Sequence, residues 1–214
     1  MKIVVIGAGL IGTSIALGAK RAGAEVELID ADGRAEALAN DLVESTKVID
    51  PTIVVVATPT SALDGVMERF KSLYPKSTFI DIGSTKTKVK VQVQSDSNFA
   101  ERFCPTHPMA GRELDGAEAA QSDLFAGKSW IITPLPETSG ESIALVKELI
   151  EKLGARVIAM SPEDHDFAVA AVSHMPQVIS SLLAAQLEGK SPEYLALAGT
   201  GVLDTTRIAG SNPE

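Results

Sequence analysis

Three side chains stand out for the chemistry they can do: the imidazole of His107, the hydroxyl of Ser84 and the guanidinium of Arg207. A neutral imidazole, whose proton affinity sits near neutral pH, accepts a proton from an alcohol while hydride leaves the same carbon. Pro108 pushes His107 into extended backbone, so its ring is expected at a strand end and firmly held. Ser84 lies in Asp81-Ile82-Gly83-Ser84-Thr85-Lys86, between a strand end and a helix start, where a hydroxyl caps the helix and can also turn to a bound substrate. Arg207 sits in Thr205-Thr206-Arg207-Ile208-Ala209, a polar interruption of apolar sequence; its planar fork either clamps a carboxylate through both oxygens or joins an ordinary salt bridge. His174 stands beside Pro176, and His165 with Asp166 reads as first-turn surface or a capping pair. The three histidines and the single Cys104 show no metal-ligand spacing, so no metal is expected, and Cys104 reads as small packing material.

A second chemistry is written near the amino terminus. Gly7-Ala8-Gly9-Leu10-Ile11-Gly12 follows one apolar run and opens an amphipathic one. The first glycine permits a tight turn, the second lets backbone approach a pyrophosphate, and the third lets helix and strand pack closely. The anion then meets unpaired amides at a helix start. Asp30 stands 18 residues after Gly12, at the end of the second apolar run, where a carboxylate accepts from ribose hydroxyls and repels a 2'-phosphate. NAD is therefore expected rather than NADP. Arg34 is placed to reach a 2'-phosphate, to lie along an adenine or to stay solvated. Thr58, Pro59 and Thr60 follow the third strand and should line the same cleft.

These residues need a scaffold that brings strand ends together. Short β-branched runs alternate with amphipathic stretches through the first 160 residues, the pattern of parallel strands joined by crossover helices. Strands are expected at Lys2 to Ile6, Glu25 to Ile29, Thr52 to Ala57, Thr78 to Ile82, a short run ending near Cys104, Ser129 to Thr133 and Arg156 to Met160, all in one twisted sheet. Helices are expected at Leu10 to Arg21, Arg34 to Leu42, Ala62 to Leu73, Thr85 to Gln94 and Gly140 to Lys152, with Pro108 to Gly127 a loop or short-helix insertion. The expected fold class is α/β: a Rossmann-type, doubly wound, mostly parallel sheet over residues 1–160, then a smaller all-helical domain over 161–214.

The second part opens on Ser161-Pro162-Glu163-Asp164, a cap, a first-turn proline and acids at the positive end of a helix. Its expected core positions are Phe167, Ala170, Ala171, Ile179, Leu182, Leu183 and Leu187. Pro176 should kink this helix, since it removes the amide that would reach the Val172 carbonyl. A second helix is expected over Tyr194 to Leu203. Ser211-Asn212-Pro213-Glu214 again reads as the opening of a helix, so the helical domain is expected to be incomplete, its carboxy-terminal part missing.

Of 214 residues, 28 are acidic and 19 basic, a formal charge of −9 that argues against nucleic acid or an anionic membrane as partner. No apolar run approaches the roughly 20 residues of a membrane span, and no secretory signal opens the chain, so a cytoplasmic location is expected. With 45% hydrophobic and 22% charged residues the chain is an ordinary globular protein.

Taken in order, GAGLIG, ATP at 57 to 59, DIGSTK at 81 to 86, HPMAG at 107 to 111, EDHD at 163 to 166, SHMP at 173 to 176 and TRIAGSNPE at 206 to 214 resemble the prephenate/arogenate dehydrogenase family of tyrosine biosynthesis. The resemblance implies an NAD(P)-binding domain, a helical domain that forms a homodimer, and a small cyclohexadienyl acid substrate held between them. It implies an oxidative decarboxylation in which hydride and CO2 leave opposite ring carbons and the ring becomes aromatic. Prephenate, giving 4-hydroxyphenylpyruvate, is the first expectation. Arogenate giving tyrosine directly, or a chain that binds NAD without full activity, are the alternatives. Carried over, the resemblance assigns catalysis to His107, Ser84 and Arg207, and substrate contacts to Glu113, His174, Gln177 and Arg207. Gln177 departs from the many members that carry a histidine there.

Overall fold

The computed structural model describes residues 1–111 and 115–210. It divides into two compact units, Met1–His165 and Asp166–Glu214. The division falls a few residues beyond Met160, inside the helix that begins at Pro162.

In the first unit β1 (Lys2–Ile6), β2 (Glu25–Ile29), β3 (Ile53–Val56) and β4 (Thr78–Asp81) form a parallel sheet in the order β2-β1-β3-β4. Between them run α1 (Leu10–Arg21), α2 (Gly33–Val43) and α3 (Leu63–Leu73), followed by α4 (Thr87–Gln94) and α5 (Ser97–Glu101). The near-continuous apolar strands follow from double coverage. Ile3 and Val5 of β1 pack with Ile15, Ala19 and Val43 on one face, while Val4 and Ile6 pack with Met67, Phe70 and Val89 on the other. Because the chain leaves β1 for β2 on one side and crosses to β3 on the other, a crevice opens at the carboxyl ends of β1 and β3. This is a Rossmann-type fold.

The expected single sheet is corrected. A second sheet, β5-β6-β7, is built from β5 (Thr106–Pro108), β6 (Ser129–Ile132) and β7 (Arg156–Ala159), with α6 (Gly140–Lys152) before β7. β5 runs antiparallel to β6, and β6 parallel to β7. One bridge, Phe79 to Phe103, links β4 to the segment before β5, and the proline at Pro105 stops that pairing from lengthening into the strand expected near Cys104. Within the 108–127 segment the described residues form one short 3₁₀ turn, Ala117–Ala119.

The second unit is helical. A helical segment runs from Pro162 to Ala185 as α7 (Pro162–Val169), a π-helical turn (Ala170–His174) and α8 (Met175–Ala185). Pro176 thus acts through a widened turn. Opening the helix to π geometry carries the Val172 carbonyl away from the proline ring, which cannot donate to it. The expected Tyr194 to Leu203 helix is instead α9 (Pro192–Leu195) and α10 (Thr200–Thr206), interrupted at Gly199, whose extended backbone restarts the helix. A 3₁₀ turn, Arg207–Gly210, follows.

The expected helical core is also corrected. Phe167 is 81% exposed, Leu182 62% and Ile179 52%. The 24 residues of Pro162–Ala185 are long and apolar enough to cross a membrane by length and composition alone, against the expectation of no such run. Ser173, His174, Gln177 and Ser180 break the apolar sequence without ending the helix, which is why the run is not visible in the residues. The cap read at Ser211 to Glu214 lies outside the described residues.

Candidate active site

The glycine loop is built by close approach. Gly7 has φ +113°, and a Cβ there would stand 2.3 Å from the Ala57 carbonyl oxygen. A Cβ on Gly12 would stand 2.0 Å from the carbonyl oxygen of Gly7, so helix and turn touch through backbone. Gly9 differs: a Cβ there would meet no atom of the described residues within 4 Å. Among the described residues its lack of a side chain serves no contact, and it leaves open space in front of the first turn of α1. That turn has no side-chain cap, so its amides face outward with no helical acceptor. Leu10 is buried beneath the loop and Ile11 half-buried.

Asp30 completes this cradle. Its Oδ2 accepts the Ala8 amide at 2.7 Å and its Oδ1 the Asp32 amide at 2.8 Å. A carboxylate has about four acceptor positions, so both oxygens keep capacity for ribose hydroxyls. Glu36 accepts the Asp30 amide at 2.8 Å and fixes the turn from behind. Arg34 lies exposed in the first turn of α2, its amide given to Asp32, the helix cap. Thr58 follows β3 with a buried hydroxyl that has no partner among the described residues, while Pro59 and Thr60 are exposed. An unfilled approach at Gly9, uncapped amides, a two-sided carboxylate and an unpartnered hydroxyl fit an adenine dinucleotide.

A second group of residues surrounds His107. Asp81 ends β4, fully buried, and pairs with the equally buried ammonium of Lys86. The same carboxylate accepts the Gly83 amide at 3.0 Å and the Thr106 amide at 3.2 Å. Thr106 gives its hydroxyl to the Asp81 carbonyl at 2.6 Å and accepts from the Trp130 indole at 3.0 Å. One buried ion pair therefore anchors both the loop carrying Ser84 and the strand carrying His107. A buried charge persists only with such a full set of partners. The half-buried His107 occupies the middle of β5, opposite Ile131. Its Nδ1 lies 2.9 Å from Nε2 of His165, the two rings meeting edge to face at 5.1 Å between centroids.

Two expectations are overturned here. Ser84 is not the cap of α4: the helix begins at Thr87 with Lys86 in the cap position, because Lys86 must first enter the core to reach Asp81. Ser84 is left exposed in the loop. His165 is neither surface nor a capping group, being fully buried against His107. The sequence offered one signal for the Asp81–Lys86 pair, an acid and a lysine bracketing a glycine-containing turn. It offered none for His165, which lies 58 residues from its partner.

In the helical unit, His174 closes the π turn and is half-buried. Gln177, one turn on, donates its side-chain amide to the Ile208 carbonyl at 2.9 Å, tying α8 to the 3₁₀ turn that starts with the exposed Arg207. Glu113 lies outside the described residues. Among the described residues no group of three or more His, Cys, Asp or Glu side chains is gathered as a metal site.

Both parts of the chain are similar to known proteins of one family. Residues 8–159 match the family model described as prephenate dehydrogenase, nucleotide-binding domain, and residues 161–214 match prephenate dehydrogenase, dimerization domain. The prephenate dehydrogenase of Bacillus subtilis is 31% identical over 99% of this chain, which spans 61% of that relative's length. Among solved structures, prephenate dehydrogenase from A. aeolicus in complex with hydroxyphenyl propionate and NAD+ is similar with a TM-score of 0.90 and 28% identity, over 100% of this chain and 79% of that one. Synechocystis arogenate dehydrogenase is similar with a TM-score of 0.82, also at 28% identity, over 100% of this chain and 80% of that one.

Proposed function

From a chain that belongs to the prephenate dehydrogenase family, we propose an enzyme that oxidatively decarboxylates prephenate to 4-hydroxyphenylpyruvate. The observation that carries this reading is His107: a half-buried imidazole held in a strand, one ring nitrogen engaged by a buried partner. NAD, when bound, supplies the hydride acceptor. The residues that would hold it are Gly7, Gly9 and Gly12 at the pyrophosphate, Asp30 at the ribose, and Thr58 with its neighbours along the cleft.

The remaining chemistry falls to the protein's own groups. His107 takes the proton of the ring hydroxyl as that carbon loses hydride, and Ser84 hydrogen-bonds at the same centre. Arg207 holds a carboxylate through its fork, with Glu113, His174 and Gln177 in contact with the rest of the acid. Loss of CO2 aromatises the ring and drives the reaction. Arogenate is the second reading. Its support is Gln177, a carboxamide that gives one N–H to the Ile208 carbonyl and offers the substrate side chain no imidazole.

The same proposal includes a homodimer joined through the helical unit, in the cytoplasm. The dimerization-domain match and the exposed Phe167, Val172 and Leu182 support the dimer. The deciding experiment is formation of NADH with prephenate and with arogenate in parallel. Turnover of prephenate, lost about 100-fold or more in His107→Asn with NAD affinity retained, is the expected result. No reduced nicotinamide with either acid overturns the reading.

A further inference from the structure

The contact between His107 Nδ1 and His165 Nε2, at 2.9 Å, forces a choice of protons. Two neutral imidazoles at that distance share one hydrogen, so one ring donates and the other accepts. Since Nδ1 of His107 is engaged in this contact, exchange of a proton with a substrate runs through its Nε2. For Nε2 to accept, it must start without a hydrogen, which puts the hydrogen of His107 on Nδ1 and makes His165 the acceptor. Imidazole left to itself favours the opposite tautomer.

We propose that His165 is a positioning residue that holds His107 in the Nδ1–H tautomer and keeps its Nε2 available as the base. Burial makes this arrangement strict. His165 is completely shielded from solvent, so water does not substitute for its nitrogen. The role parallels the acid that orients the histidine of a serine protease triad, with a neutral ring in place of a carboxylate. A neutral acceptor matters because it fixes direction without adding a negative charge beside an anionic substrate.

The proton inventory closes. The substrate hydroxyl proton goes to His107 Nε2, giving an imidazolium with hydrogens on both nitrogens. Its Nδ1–H then donates to His165 Nε2 as a charge-assisted bond, stronger than the neutral one it replaces. His165 keeps its own hydrogen on Nδ1 throughout, so no second transfer is needed. The site of this bond is distant in sequence but local in space: α7 delivers His165 to β5 directly after β7 ends.

This inference rests on the proposed role of His107, and its first readout is independent of turnover. In the cofactor-free protein, ¹⁵N-resolved histidine spectra should show neutral His107 protonated at Nδ1. The Nε2–H form in the unaltered protein overturns the proposal whether or not either acid is oxidised. His165→Phe keeps a ring of similar size but has no acceptor, and should move His107 toward Nε2–H. Its kcat should fall roughly 100-fold, with NAD affinity and KM for the acid within about threefold. His165→Gln, which returns an acceptor near the Nε2 position, should recover at least a tenth of the lost rate. Retained kcat in folded His165→Phe, or no recovery in a His165→Gln protein of unaltered melting temperature, overturns the role. Both variants are checked for native helix content first, and the spectrum of the unaltered protein decides alone if neither folds.

Discussion

Asp30 Oδ2 accepts the amide of Ala8 at 2.7 Å, so the acid at the end of β2 is bonded to the glycine loop after β1. The contacts proposed for the cofactor's sugar and phosphates would thereby lie on one hydrogen-bonded piece of the fold. Asp30→Ser shortens the side chain and removes its charge together. NAD affinity is expected to drop, and the preference for NAD over NADP to narrow, since repulsion of a 2'-phosphate is lost. Titration of both dinucleotides against the two proteins measures this. An unchanged ratio contradicts the assignment.

The three glycines of the loop separate binding from folding. Gly12→Ala drives a methyl into backbone and is expected to lower the melting temperature outright. Gly9→Ala meets no atom of the described residues, so its melting temperature should match the parent while NAD binding weakens about tenfold or more. A Gly9 variant that loses stability without losing NAD would show that the space in front of α1 belongs to the fold.

The Asp81–Lys86 pair should be the most sensitive charged contact in the first unit. Lys86→Met leaves a buried carboxylate without its cation, with an expected loss of about 3–5 kcal/mol. Denaturant unfolding measures it. Because Asp81 also accepts the Thr106 amide beside His107, any folded fraction of this variant should show reduced kcat.

Cys104 lies in the core, where burial pushes its thiol up to about 12. The unfolded thiol ionises from about 9 and the native one does not, so above that pH the unfolded state binds fewer protons and stability falls. The contribution is intact below pH 9 and is progressively lost toward 12. Urea midpoints measured from pH 8 to 11 should fall more steeply in the parent than in Cys104→Ala. Alkylation of Cys104 should require unfolding.

Gln177 offers a test inside the helical unit. Its amide holds the Ile208 carbonyl one residue after Arg207. Gln177→Leu should loosen the turn that presents the guanidinium and raise KM for the acid several-fold, with NAD affinity unchanged. Steady-state kinetics at saturating NAD reads the difference.

Much of the first unit was legible in the residues, because its determinants are local. α1 occupies the residues its apolar spacing predicts, α6 those its spacing and its Ser139 cap predict, and β1 and β2 the runs their β-branched side chains predict. The glycine spacing and Asp30 likewise announce their cradle, since loop, helix start and acid are set by chain connectivity in one β-α-β unit. The order and spacing of the short motifs carried the family resemblance.

What depended on distance in the chain was decided only by the tertiary structure. Lys86 delays α4 to satisfy Asp81, which displaces Ser84 from the cap, and no helix propensity encodes that exchange. The break into two sheets comes from Pro105 and the antiparallel entry of β5. Phe167 and Leu182 show the apolar spacing of a core and are solvent-exposed, because periodicity says which face is apolar and not what covers it. His165 is the sharpest case: as sequence it is one polar residue among acids, and only folding against β5 turns it into the partner of His107.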